Sequence, residues 1–297
     1  MSSPPKNDGE IVKVNPFNMN NKLITENEVI NLLNRFGVED EIDNLSIYQQ
    51  SFIHKSYIKK ENVNNQGDEV ELAEKPHNCL ELQDASNERL EYLGDSILGA
   101  TVASYLFERY PDQEEGFMTR LRTKIVNGEM LGSLALKMGL SDHMVISRHV
   151  EDRCNGRTNL RILEDVFESF IGALYLDFNE KDVEHSKMDF YSGLGFQVCQ
   201  VFIISIIEEF IDFSDLILND YNFKDQLLRY FQHNFQQTPK YKQILVEGPP
   251  NERFFTMAVL KNEDEIVSYG KERSKKKAEQ IASKNALIKY GAIEDSD

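Results

Sequence analysis

With 297 residues, 40% hydrophobic and 28% charged, the chain can bury one large core or two smaller ones and lies outside the compositions of disordered or fibrous proteins. Its main apolar run, VFIISII at 201–207, is far short of a membrane span, MSSPPKNDGE at the start lacks the basic and apolar segments of a secretory leader, and three scattered cysteines (Cys79, Cys154, Cys199) support neither a disulfide framework nor a zinc knuckle. A net charge of −17 would exclude nucleic acid only if spread evenly, and it is not: residues 221–291 hold 13 Lys and Arg against 8 Asp and Glu, the remainder 20 against 42.

That asymmetry predicts a basic module that binds a polyanion, attached to an acidic body whose work requires carboxylates. A soluble intracellular protein is expected, with no membrane partner; cytoplasm and nucleus suit it equally. In chain order, residues 1–25 are polar and rich in Pro and Asn and read as a flexible tail. Helical patterns follow from Glu26 (ENEVINLLNRFG) and through YQQSFIHKSYI at 48–58, whereas 61–86 loses periodicity and reads as an inserted loop. Residues 87–177 read as helices broken near Pro111, Gly116, Gly128, Gly139 and Gly156, and 178–219 as a loop leading into a long apolar helix. After Asn219 the pattern changes to a helix (FKDQLLRYFQHNF), strands including FFTMAVL and IVSYG about a polar turn, and a closing helix SKKKAEQIASKNALIKYG. The expected architecture is an all-α body over 26–219 and a small α-β-β-β-α module over 220–292.

Two segments concentrate acids. In NERLEYLGDSIL (87–98), Glu88, Glu91 and Asp95 share a helical stripe opposite Leu90, Leu93 and Ile97. This segment alone fits a solvated amphipathic face as well as a site. In EDVFESFIGALYLD (164–177), Asp165 and Glu168 again share a face, yet Val166, Phe167, Phe170, Ile171, Ala173 and Leu174 cover the rest of the circumference, the pattern of a buried helix. Carboxylates there need protons, basic partners or a cation. If the two faces meet, Glu91, Asp95, Asp165 and Glu168 surround one site for a hard divalent ion shared with phosphate oxygens, which suits Mg²⁺. Glu115, in DQEEGFMTRLR, is a candidate outer ligand or simply an acid at a helix start, and Asn87, Arg89 and Lys124 are candidate supporting groups.

NERLEYLGDSIL resembles the signature of ribonuclease III, the family of double-stranded RNA endonucleases. FIHKSY (52–57), EGFMTRLRTKIVN (115–127) and EDVFESFIGALYLD resemble further family segments in the family's order, and 222–291 is similar to its double-stranded RNA-binding domain. The resemblance implies an all-α ribonuclease III endonuclease domain plus a small α+β RNA-binding domain. It implies metal-binding catalytic carboxylates at Glu91, Asp95, Asp165 and Glu168, additional acids at Glu88 and Glu115, and an aromatic, Tyr92, docking into a partner subunit of a homodimer. The implied reaction is Mg²⁺-dependent hydrolysis of duplex RNA, with Mn²⁺ able to substitute, leaving 5′-phosphate and 3′-hydroxyl ends with a short 3′ overhang.

In the basic module, Lys275 and Lys276, with Lys277 beside them, are expected on phosphates across the A-form major groove, and Gln232 on the first helix is a further RNA contact. The chain departs from the family at Pro250 and Asn251, where a His is frequent, and at Asp225, Leu228 and Arg229, where polar minor-groove contacts are usual. His54, within a family motif, reads as structural. Two other functions fit parts of the pattern: a non-catalytic protein that sequesters or scaffolds duplex RNA, against which six retained acids speak, and a helical Mg²⁺ enzyme acting on diphosphates, against which the missing DDxxD run speaks.

Overall fold

The computed structural model describes residues 12–59, 70–181, 191–218, 222–249, 252–262 and 264–293. They divide into two compact units, Met1–Asp212 and Phe213–Asp297. The division precedes the junction expected at 219/220, because the long apolar helix stops at Phe210 and a short one, Phe213–Leu218, groups with the second unit.

In the first unit β1 (Val12–Val14) precedes α1 (Glu26–Arg35) and α2 (Leu45–Ser51); β2 (Val70–Leu72) precedes α3 (Glu88–Arg109), α4 (Glu115–Ile125), α5 (Gly128–Lys137), α6 (Arg148–Cys154) and α7 (Leu160–Asp177); β3 (Asn179–Lys181), β4 (Tyr191–Gly193) and α8 (Gly195–Phe210) close it. A reciprocal cap starts α1: the Thr25 hydroxyl accepts from Glu28 N at 3.4 Å while the Glu28 carboxylate accepts from Thr25 N at 2.8 Å. Helix α7 is the hub. The six apolar residues expected to surround it are each no more than 2% exposed, and Phe170 meets Tyr48 of α2 and Phe202 of α8 at ring-centroid distances of 5.5 and 5.6 Å. Gly116 lies inside α4, not at a break.

Two expectations need correction. Residues 12–25 are not a tail. Strand β1 pairs in parallel with β2, Phe17 and Ile24 are buried, and Asn21 exchanges two hydrogen bonds with the backbone of Ile146, donating to its carbonyl at 2.9 Å and accepting from its N–H at 3.1 Å. The asparagines that read as solvent-seeking thus stand in for a missing strand. The far end of the 61–86 segment is ordered too: the Tyr57 hydroxyl donates to Leu80 O at 2.8 Å, and Cys79 and Leu82 join Phe17, Ile53, Tyr57 and Val145 in one apolar cluster. These anchors are spaced irregularly, so no period betrays them. Residues 1–11 and 60–69 lie outside the described residues.

The second unit carries α9 (Phe213–Leu218), α10 (Phe223–Phe235), β5 (Lys240–Glu247), β6 (Phe254–Lys261), β7 (Glu265–Glu272) and α11 (Lys275–Lys289), with an antiparallel sheet in the order β5-β6-β7. Leu227 and Phe231 of α10, Val259 and Val267 of the sheet, and Ala282, Ala286 and Leu287 of α11 form its core. Gly270 lets β7 approach α11: a Cβ there would lie 2.2 Å from the Ala278 carbonyl oxygen. Among the described residues no helix is long and apolar enough to cross a membrane.

Candidate active site

Helices α3 and α7 carry the acids and make the most extensive helix contact in the molecule. They touch backbone to backbone. A Cβ on Gly94 would sit 1.7 Å from the Glu168 carbonyl oxygen, and one on Gly172 would sit 2.2 Å from the Leu90 carbonyl oxygen. Gly94, unfavourable in an isolated helix by about 1 kcal/mol relative to Ala, is there because nothing larger fits the crossing. The crossing is pinned at one end by the carbonyl of Ser51, which accepts from the Ser169 hydroxyl at 2.6 Å and from Asn87 Nδ2 at 3.3 Å. Asn87, 1% exposed, also donates its backbone N–H to Ile53 O at 2.8 Å, so its support is structural.

The crossing brings the acids of the two segments within electrostatic reach of one another. Glu168 is only 8% exposed, and its carboxyl is pushed up to about 8, first by burial and then by the charges of Asp95, Glu164, Glu91 and Asp165. Asp165 is raised to about 6 by burial and by Glu164, with Lys55 opposing. Glu91 is raised by burial, then by Asp165 and Glu88. Glu88 is shifted the other way: Lys55 Nζ donates to its Oε1 at 3.0 Å and holds it below the usual carboxylate range. Glu115 opens α4 and accepts from the Thr119 hydroxyl at 2.7 Å; it is not among the groups whose charge shifts Glu168, Asp165 or Glu91. Tyr92, beside Glu91 on α3, is 81% exposed. Arg89 is exposed as well, and the Lys124 carbonyl accepts from Asn127 Nδ2 at 2.5 Å.

Two members escaped the sequence reading. Glu164, raised by burial and by Glu91 and Asp95, puts its carboxylate where a Cβ on Gly128 would lie, 2.2 Å from Oε2. Its signal was its place in the adjacent pair Glu164-Asp165. Lys55 sits in FIHKSY, where only the motif as a whole drew notice.

In the second unit, Ser274 caps α11 by accepting from Lys277 N at 3.2 Å, so Lys275, Lys276 and Lys277 form an exposed first turn. Lys275 Nζ lies 5.7 Å from the centroid of the Phe255 ring, and Lys271 and Arg273 lie 5.8 and 5.6 Å from that of Phe254. Gln232 is exposed on α10, where Asp225 pairs with Arg229 at 3.0 Å. Pro250 and Asn251 lie outside the described residues.

A helical body with mutually coupled carboxylates on two packed helices, followed by a compact basic module, is the class of protein in which an acidic site goes with a polyanion-binding domain. Residues 88–179 match the Ribonuclease III domain and residues 223–290 the double-stranded RNA binding motif. The chain is 35% identical over 276 residues to the probable ribonuclease 3 of Acanthamoeba polyphaga mimivirus, covering 92% of this chain and 47% of that protein. It is 37% identical over 209 residues to ribonuclease 3 of Bdellovibrio bacteriovorus, covering 69% of this chain and 80% of that one. The nuclease domain of ribonuclease III from Campylobacter jejuni aligns with a TM-score of 0.43 at 24% identity, covering 61% of this chain and 96% of that domain. The chain thus spans about half the length of the mimivirus relative and four-fifths of the Bdellovibrio one. It belongs to the ribonuclease III family, the endoribonucleases of double-stranded RNA.

Family membership implies a divalent metal ion. Among the described residues no group of three or more His, Cys, Asp or Glu side chains is drawn together as a preformed ion cage. The donor set nevertheless fits such an ion. All its members are carboxylates, the ligands hard divalent cations take. The most buried, Glu168, is shifted by burial and neighbouring acids alone, with no hydrogen-bond donor contributing, so a cation is what would balance it.

Proposed function

We propose that this protein cleaves double-stranded RNA by Mg²⁺-dependent hydrolysis, with Glu91, Asp95, Asp165 and Glu168 holding the ion and Glu88 and Glu115 as outer acids. The observation that carries this reading is the coupling of Glu168, on a buried helix, to the acids of α3 across a glycine crossing. When bound, the ion supplies Lewis acidity toward the phosphodiester and lowers the pKa of water, which makes water a competent nucleophile near neutral pH. The chain's own residues do the rest. With its carboxyl raised to about 8, Glu168 holds a proton at neutral pH in the metal-free protein, and as a ligand it would give that proton up on binding the ion. Burial of α7 fixes Asp165 and Glu168 against lateral movement, which an in-line displacement requires. Water attack with departure of the 3′-oxygen gives 5′-phosphate and 3′-hydroxyl ends.

Lys275, Lys276 and Lys277 would contact phosphates from the N-terminus of α11, and Gln232 the duplex from α10, so binding follows A-form shape rather than sequence. The exposure of Tyr92 suits a residue that docks into a second copy, and a homodimer would give each strand its own site and the short 3′ overhang. Mn²⁺, which takes the same oxygen ligands, would substitute for Mg²⁺. Incubation of the protein with long duplex RNA, with Mg²⁺ or a chelator, tests the reading. Metal-dependent cleavage in the parent, with Glu168→Gln binding duplex but not cutting it, is the expected result; binding without cleavage in the parent under any metal would favour a sequestering role.

A further inference from the structure

Glu88, Glu91, Asp95, Glu164, Asp165 and Glu168 act on one another as like charges, so an incoming phosphodiester meets repulsion there except where a cation offsets it. Among the positive side chains acting on these acids, Arg161 acts on Glu164, whereas Lys55 acts on Glu88, Glu91 and Asp165 together. The backbone on either side of it is hydrogen-bonded to other segments. Lys55 opens a single 3-10 turn, Lys55–Tyr57, capped by the His54 side chain, which accepts from Ser56 N at 3.2 Å. On one side His54 N donates to Val145 O at 3.0 Å, and Ser147 N donates to the Ser56 hydroxyl at 2.9 Å. On the other, Gln83 N donates to Tyr57 O at 3.0 Å, and Ile53 O holds the start of α3 through Asn87 N at 2.8 Å. From this frame the side chain reaches outward, 62% exposed, and meets Glu88, itself 52% exposed. An exposed pair of this kind is weak and exchanges readily, and an ammonium carries further donors beyond the one Glu88 takes.

We propose that Lys55 is the cleavage valley's own phosphate contact: Glu88 parks its ammonium at the rim, and duplex RNA draws it onto a backbone phosphate oxygen beside the bond to be cut. This deepens, and rests on, the nuclease reading above. A rigid backbone ending in an exposed, exchangeable cation suits a group that must find a phosphate at a set distance from the acids.

The test uses the full chain, with blunt duplex RNA as probe, comparing the parent with Lys55→Ala, Lys55→Gln and Lys55→Arg. Duplex affinity is measured against salt concentration in Mg²⁺, each variant also carrying Glu168→Gln to prevent cutting; single-turnover cleavage is measured without that change. Removing the ammonium should lower the salt slope by about one phosphate. It should raise the half-saturating duplex concentration about ten-fold, with a smaller loss of rate at saturation, and Lys55→Arg should recover most of both. Should the alanine form fold poorly, the glutamine form carries the same comparison. An unchanged slope and half-saturation, with only thermal stability or Mg²⁺ requirement altered, would reduce Lys55 to a counter-charge and overturn the proposal. Absence of cleavage in the parent would instead sink the nuclease reading, while the salt slope would still decide whether Lys55 meets phosphate.

Discussion

Replacing Glu168 by Gln should make the metal-free protein more stable, in a way that depends on pH. The carboxyl has a value of about 8 in the folded chain against 4.5 for an unperturbed one. Between those values the folded chain retains a proton that the unfolded chain has released, so the stability present in full below about 4.5 falls as pH rises toward 8. At pH 7.5 the accumulated loss has a ceiling of ~4 kcal/mol. Relaxation of the valley and entry of water reduce that penalty in practice, as they do for buried ions generally. A neutral, nearly isosteric amide escapes it, so Glu168→Gln should be about 2 kcal/mol more stable than the parent at pH 7.5, or ~4–8 °C in the unfolding of the first unit. At pH 4.5 the two should differ little. Urea or thermal unfolding in EDTA at both values, followed by circular dichroism, measures this, and adding Mg²⁺ should close the gap by stabilising the parent alone. A variant no more stable at pH 7.5 than at 4.5, relative to the parent, would refute the claim that burial and neighbouring acids strain Glu168.

Gly94→Ala should be severe despite the better helix former, because its Cβ would lie 1.7 Å from a backbone oxygen that cannot step aside. We expect a loss of about 3 kcal/mol and at least a hundred-fold in cleavage as the helices part, checked by urea unfolding and single-turnover kinetics; parental behaviour would mean that the crossing is not tight. Lys275→Ala with Lys276→Ala should weaken binding to all duplex sequences alike and lower the salt slope by up to about two phosphates, read by filter binding across salt. For the proposed homodimer, the parent should sediment as a dimer and Tyr92→Ala as a monomer with its fold intact, since Tyr92 is 81% exposed in the single chain; a monomeric parent, or a variant as dimeric as the parent, would refute the docking role.

Burial of α7 was more legible than what packs against it. Acids at helical spacing on a segment whose other faces are apolar announce Asp165 and Glu168, because burial of α7 can be read from Val166 through Leu174. The strand over FFTMAVL was equally plain, though its alternation was not: Met257, Ala258, Val259 and Leu260 are all buried, while Phe255 is only partly so. What the sequence concealed was whatever depends on a partner distant along the chain. Gly94, a poor helix former read by itself, is explained only by the Glu168 carbonyl that stands against it. Glu164 drew no notice, because the room that Gly128 leaves for its carboxylate lies on another helix. Residues 12–25 looked unstructured because their anchors are asparagine amides bonded to Ile146, a residue more than a hundred positions away, and a side chain that substitutes for backbone leaves no periodic trace.

That last arrangement bears on how the molecule can be trimmed. Asn18 and Asn21 grip the carbonyl of Ile146, Pro16 accepts from Arg148 N, and the neighbouring Val145 carbonyl receives His54 N, one residue from Lys55. The segment ahead of the first helix is therefore a girth strap whose buckle lies one residue from the backbone that carries His54 and Lys55. Cutting the chain back to Glu26, as its composition invites, would slacken the shelf on which the valley's lysine stands rather than shave off an idle fringe.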